Sequence, residues 1–168
     1  MSSFPTSDVY NFLKNNSTAV LATSYRSLPY ASAIYYALDD KMNFYFATKM
    51  NTDKYLNLKT NNNVAVVVGF GSKHISVQVR GQATIIKDPK LKNKILNEIS
   101  SILIKNKNIE NWPIKKIENL QAKKKAFNEE IVYKIVPQHM AFINLDDKSF
   151  PDSVSNKQHR IIPILNIV

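Results

Sequence analysis

Between Thr18 and Ile86 the apolar residues gather in short runs with the length and period of β-strands. "TAVLATS" (Thr18 to Ser24) is apolar and β-rich, "YRSLP" supplies a turn, and "YASAIYYAL" (Tyr30 to Leu38) alternates small or polar positions with bulkier ones. "DDKMN" reads as a hairpin loop leading into "FYFAT" (Phe44 to Thr48), where Phe44 and Phe46 share a face opposite Tyr45. "VAVVVGF" (Val64 to Phe70) is too continuously apolar for an exposed edge and predicts a central strand. "ISVQVRGQATII" (Ile75 to Ile86) predicts one long strand bent or bulged at Gly81.

Helical patterns interrupt the strands. Ser7 can cap a short helix with Val9, Tyr10, Phe12 and Leu13 on one side. Thr52 is a plausible N-cap for a helix burying Tyr55, Leu56 and Leu58, ended by "TNNN". Pro89 opens a third through "LKNKILNEISSILI", and "IKKIENLQAKKKAF" beyond Trp112 and Pro113 suggests a fourth. "EIVYKIVP" and "HMAFINL" are the final strands. Short connections among the early strands favour antiparallel pairing, which closes most easily as a small barrel.

A chain of 168 residues with 44% hydrophobic residues suits one domain with a continuous core. Its start has neither a basic n-region nor an apolar h-region, and no run approaches a membrane span, so a soluble cytoplasmic protein with no membrane partner is expected. The absence of cysteine excludes disulfides, a thiolate nucleophile and cysteine-ligated metal. A net charge of +10 could draw phosphate-rich partners. The lysine runs between Lys87 and Lys125, however, have few interleaved aromatic residues and read as solvated helix faces, which disfavours nucleic acid.

One local misfit points elsewhere. "FATKMNTDKYLNL" places Lys49 and Lys54 around a helix start, where free N–H groups and the positive end of the macrodipole already reside. A bound phosphate would accept those N–H groups and oppose both lysines. The competing account is that both lysines are solvated and Asp53 satisfies the dipole.

The succession "AVLATS", "LPYASAIYYALDDKMNFYFAT", "NTDKYLNLKTNNNVAVVV", "VQVRGQATII" and "VYKIVPQHMAFINL" resembles the FMN-binding split barrel of the pyridoxamine 5′-phosphate oxidase-like family, over roughly Ser7 to Asn144. The resemblance implies a mainly β, α+β fold: an antiparallel Greek-key split β-barrel with a few flanking helices. Residues 1–145 would form it, and 146–168 a tail that docks on the barrel or a partner subunit. It implies FMN as cofactor, with the phosphate held by Thr48, Lys54 and Ser32, and Lys49 nearby. Ser32, Ala33, Ile34 and Tyr35 would run beside the isoalloxazine ring, and Ala47 next to the phosphate threonine. Ser76 falls where relatives often have a glutamine that reaches the flavin. Many oxidases carry an arginine or lysine at the place of Ser32, so one phosphate charge is missing here. A homodimer with flavin at the subunit interface is also implied.

No Ser/His/Asp or paired-carboxylate arrangement emerges from the spacings, and the catalytic residues stay unassigned. Any catalysis would come from the flavin, making an FMN-dependent oxidoreductase the leading reading. Pyridoxamine phosphate oxidases proper carry a tryptophan- and arginine-rich C-terminal segment, whereas "NKQHRIIPILNIV" has one arginine and no tryptophan, leaving the small-molecule substrate open. A haem-binding or haem-degrading split barrel would need His139 or His159 as axial ligand, and a non-catalytic flavin-binding stress-response protein is a third alternative. His74, His139 and His159 have no metal-ligand spacing. Arg80 and Gln82 flank Gly81 on the face opposite the apolar residues, where either a ligand or solvent could meet them.

Overall fold

The protein is described by a computed structural model over residues 6–69, 75–105, 129–144 and 162–166. Helix α1 (Thr6–Asn15) buries Val9 and Leu13 completely. It begins one residue before Ser7, which therefore lies in its first turn and is not its cap. Strands β1 (Thr18–Tyr25) and β2 (Leu28–Tyr35) form a hairpin whose two turn residues, Arg26 and Ser27, have φ of 47° and 65°.

The expected single strand from Tyr30 to Leu38 is two strands. After Tyr35 the chain stops pairing with β1, and β3 (Ala37–Leu38) pairs instead with β4 (Phe44–Lys49). Tyr36 anchors the switch: its N–H donates to the Ser17 carbonyl and its hydroxyl donates to the Leu13 carbonyl at 2.7 Å. The loop before β4 is organised by Asp39, whose carboxylate accepts from Lys41 N–H, from the backbone and side chain of Asn43, and from the Tyr45 hydroxyl.

Helix α2 (Asp53–Thr60) follows, then β5 (Asn63–Gly69), β6 (Ile75–Ile85), α3 (Pro89–Lys105), β7 (Glu130–Asn144) and β8 (Ile162–Asn166). Every described strand pairing is antiparallel, in the order β2-β1-β5-β6-β7-β4-β3, with β8 added beside β7. The two ends of this order, β2 and β3, are joined at Tyr36, so the sheet curls back on itself as a split barrel.

The two expected final strands are one. β7 continues through Pro137, where the register against β6 shifts so that Arg80 faces His139 and Gly81 faces Pro137. A proline has no N–H for the ladder and is tolerated at a bulge. Gly81 is needed opposite it, since a Cβ there would run into the Val136 carbonyl oxygen.

Phe44, Phe46, Leu21, Val66, Val77, Ile135 and Met140 fill the barrel interior with α1. A second cluster lies outside the barrel, where Ile95, Leu96 and Ile99 of α3 cover Tyr45, Ala47 and Val132. Helix α3 therefore roofs the outer face of β4 and the start of β7. Among the described residues the outer face of β1, β2 and β5 has no such helix, and Val20 and Val67 are 47% and 37% exposed there. β5 is central in the sheet, as its apolarity suggests, but only one of its faces is covered by the described residues. The segment "IKKIENLQAKKKAF", with Trp112, lies outside the described residues, as do His74 and His159.

Candidate functional site

The split in the barrel lies between β2 and β4. Among the described residues β2 is an edge strand, so one row of its peptide groups has no strand partner there. β3 and β4 pair Ala37 with Tyr45. Helix α2 lies over this seam, close to β1, β2 and β4.

Thr52 caps α2 in extended conformation (φ −102°, ψ 150°), its hydroxyl accepting from Tyr55 N–H at 3.4 Å. The same hydroxyl donates to the Lys49 carbonyl at 2.9 Å and lies 2.8 Å from the Thr48 hydroxyl. A hydroxyl has one proton, and Thr52 gives its own to Lys49, so Thr48 is the donor in the Thr48–Thr52 contact. The first-turn N–H groups of Asp53 and Lys54 precede the helix's internal hydrogen bonds and remain at the seam. The other end of α2 is tied to β1 through Asn57 Nδ2 on Thr23 Oγ1 at 3.0 Å and Asn61 Nδ2 on Ser24 Oγ at 2.8 Å. Burial of Asn57, not expected from its polarity, turns Leu56 outward to 51% exposure.

Ser32 is opposite the core residue Leu21, so its side chain is on the interior side of β2. Its Oγ is buried without a hydrogen-bond partner. An unpaired buried hydroxyl is costly, about 1–3 kcal/mol, and on a strand that approaches both β4 and α2 it is suited to a ligand oxygen. Ser32, Thr48 and Lys54 stand on β2, β4 and α2, three elements that approach one another around the split.

The other expected site residues are dispersed. Ile34 is buried in the barrel core, whereas Tyr35 and Ala47 pack outside it in the α3 cluster. Ala33 is exposed on the outer face, opposite Val20. Four consecutive strand residues cannot share a face, so only backbone contacts along the open edge of β2 could involve them all. Lys49 is exposed and opposite Glu130 across the β4–β7 pair. Ser76, 1% exposed with an unpartnered Oγ, is opposite Ile143. Thr48 is opposite Ile131, so Ser76 and Thr48 pair with opposite ends of β7.

Glu130 and Tyr133 were missed at the sequence level. Burial pushes the Glu130 carboxyl upward, and the charges of Lys49, Lys92 and Lys54 oppose that shift without cancelling it. The only sequence signal was an acidic pair, Glu129–Glu130, in a basic region. Tyr133 stacks on Phe46 with ring centroids 5.3 Å apart, and its hydroxyl is buried without a partner. Burial is the main cause holding its phenol up at about 12.

A family model described as pyridoxamine 5′-phosphate oxidase matches residues 6–143. No curated protein matches the chain. Among solved structures, a conserved hypothetical protein of Mycobacterium tuberculosis is similar with TM-score 0.69 at 18% identity, covering 89% of this chain and 90% of that one. A FAD-binding protein of Mesorhizobium loti has TM-score 0.59 at 20% identity, with coverage of 83% and 94%. General stress protein 26 of Bacillus anthracis has TM-score 0.58 at 22% identity, with coverage of 81% and 91%. These likenesses establish the shared fold.

Proposed function

The chain belongs to the pyridoxamine 5′-phosphate oxidase family, and on that premise we propose that it is an FMN-binding flavoprotein of the oxidoreductase class. The observation that carries the reading is the buried, unpartnered Ser32 hydroxyl on β2, a strand that approaches β4 and α2. There the FMN phosphate would receive hydrogen bonds from Ser32 and from the Asp53 and Lys54 N–H groups, and Lys54 would supply charge. Thr48 would turn its proton from Thr52 to the phosphate. Bound flavin supplies hydride and electron transfer, while the protein fixes its position and limits access of water. The Mesorhizobium loti relative described as FAD-binding is in keeping with a flavin ligand.

The open outer face of β1, β2 and β5 supports a homodimer, in which a second copy would cover Val20 and Val67 and complete the flavin groove beyond the edge of β2. The test is the visible spectrum of protein purified after expression with FMN, FAD and haem all available. Flavin absorption released as FMN is expected. A Soret band without flavin absorption would transfer the assignment to haem, and bound FAD would overturn the phosphate placement.

A further inference from the structure

Three lysines from three elements and one carboxylate meet at the end of β4 that leads into the seam. Along β4, Tyr45 and Ala47 face outward under α3, and alternation puts Lys49 on the same face. Along β7, Val132 is under α3, so Glu130, two residues earlier, also faces outward, in register with Lys49. On α3, Ile95, Leu96 and Ile99 form the buried face, and Lys92 precedes Ile95 by three residues and Leu96 by four. A helix places such residues one above another, so half-buried Lys92 extends that face toward the strand ends. Lys54, in the first turn of α2, completes the group from the seam side, and exposed Glu129 is the neighbouring acid on the chain.

A half-buried carboxylate within a lysine cluster competes with any anion those lysines attract. We propose that Glu130 is the resident counter-anion of the phosphate site, that Lys92 of α3 belongs to that site's electrostatic field, and that binding of a phosphomonoester is coupled to proton uptake by Glu130. This rests on the reading that the FMN phosphate occupies the seam. The sign follows from charge repulsion. A phosphate arriving beside Lys54 disfavours ionised Glu130, so the carboxyl holds its proton more tightly in the complex than in the free protein. Ligand affinity consequently rises as pH falls from the region where Glu130 is ionised to that where it is protonated. Glu130 is already displaced toward protonation in the free protein, because burial outweighs Lys49, Lys92 and Lys54, with Glu129 reinforcing the displacement. The coupling therefore falls in mildly acidic solution, above the ordinary carboxylate range of about 4.3.

The experiment compares dissociation constants of FMN and riboflavin for the wild type, Glu130→Gln and Lys92→Gln between pH 5 and pH 8. At pH 8, Glu130→Gln is expected to bind FMN about five- to tenfold more tightly than the wild type, the effect of removing one charge at moderate distance near the surface. The advantage should shrink toward pH 5, and riboflavin should bind both proteins equally. Titration of the FMN phosphate itself, near pH 6, lowers its charge and shrinks the advantage too, so proton uptake on FMN binding is also read from the buffer dependence of the binding enthalpy, and the wild type is expected to take up more protons than Glu130→Gln. Lys92→Gln should weaken FMN severalfold and leave riboflavin unchanged, which keeps the proposal testable if Glu130→Gln folds poorly. FMN affinities matching the wild type for both variants at every pH would overturn the proposal while leaving FMN binding at the seam intact. Equal changes for FMN and riboflavin would overturn it as well. If wild-type protein binds FMN no better than riboflavin, the phosphate reading itself fails and takes this inference with it.

Discussion

Lys54 is the residue on which the phosphate reading turns. It stands in the first turn of α2, where an isolated lysine is unfavourable, and exposed Asp53 precedes it as a local counter-charge. If Lys54 serves the phosphate, Lys54→Ala weakens FMN about 10- to 100-fold, the equivalent of about 1.5–3 kcal/mol for a charge-assisted hydrogen bond, and hardly changes riboflavin. Thr48→Val is expected to act less strongly on FMN and to lower the stability of the free protein, because it also removes the hydrogen bond given to Thr52. Parallel titrations of both flavins decide the matter; equal losses for Lys54→Ala would identify a lysine that supports the fold. Lys49 is the useful comparison, since Glu130 faces it across the β4–β7 pair and its side chain is on the outward face.

At the scale of elements, the β1–β2 hairpin carries local strain. Its two-residue turn places both Arg26 and Ser27 at positive φ, the geometry that Asn-Gly or Gly-Gly adopts without a Cβ clash. Ser27→Gly should therefore stabilise the protein by about 0.5–1 kcal/mol, the relief of left-handed strain being partly offset by the greater entropy of glycine in the unfolded chain. A melting temperature roughly 1–4 °C higher is expected in scanning calorimetry. A lower value would mean that Ser27 makes a contribution beyond its backbone conformation. β2 then leaves β1 at Tyr36 and becomes β3, and this change of partner opens the seam at which α2 ends up.

For the whole molecule, the unequal covering of the barrel's outside matters most. α3 covers β4 and β7, whereas Val20 and Val67 stand 47% and 37% exposed on adjacent strands, paired with each other in register. If a second copy covers this face, Val67→Glu converts the protein to a monomer at micromolar concentration and weakens flavin binding with it, because a charge would be buried without a partner. Sedimentation velocity measures the first effect and fluorescence titration the second. A wild-type monomer that retains flavin would refute the dimer.

Period-two alternation alone was enough to assign Phe44 and Phe46 to one face of β4, and the glycine in "VQVRGQATI" to a bend of β6, because strand parity and the missing Cβ are local properties. Thr52 as the cap of α2 was legible for the same reason, since a cap hydroxyl bonds within its own turn. Long-range pairing decided the rest. Nothing in "YASAIYYAL" marks Tyr36 as the point where a strand changes partners, since that depends on contacts with Leu13 and Ser17, far back in the chain. Nor does "EIVYKIVPQHM" reveal that its proline lies opposite Gly81 inside one continuous strand. Thr48 and Lys54 are close in sequence and could be paired by eye. Glu130 and Lys92 are brought to Lys49 and Lys54, and β2 with Ser32 is brought toward β4 and α2, only through the curl of the sheet and the docking of α3, which depend on the packing of the whole core.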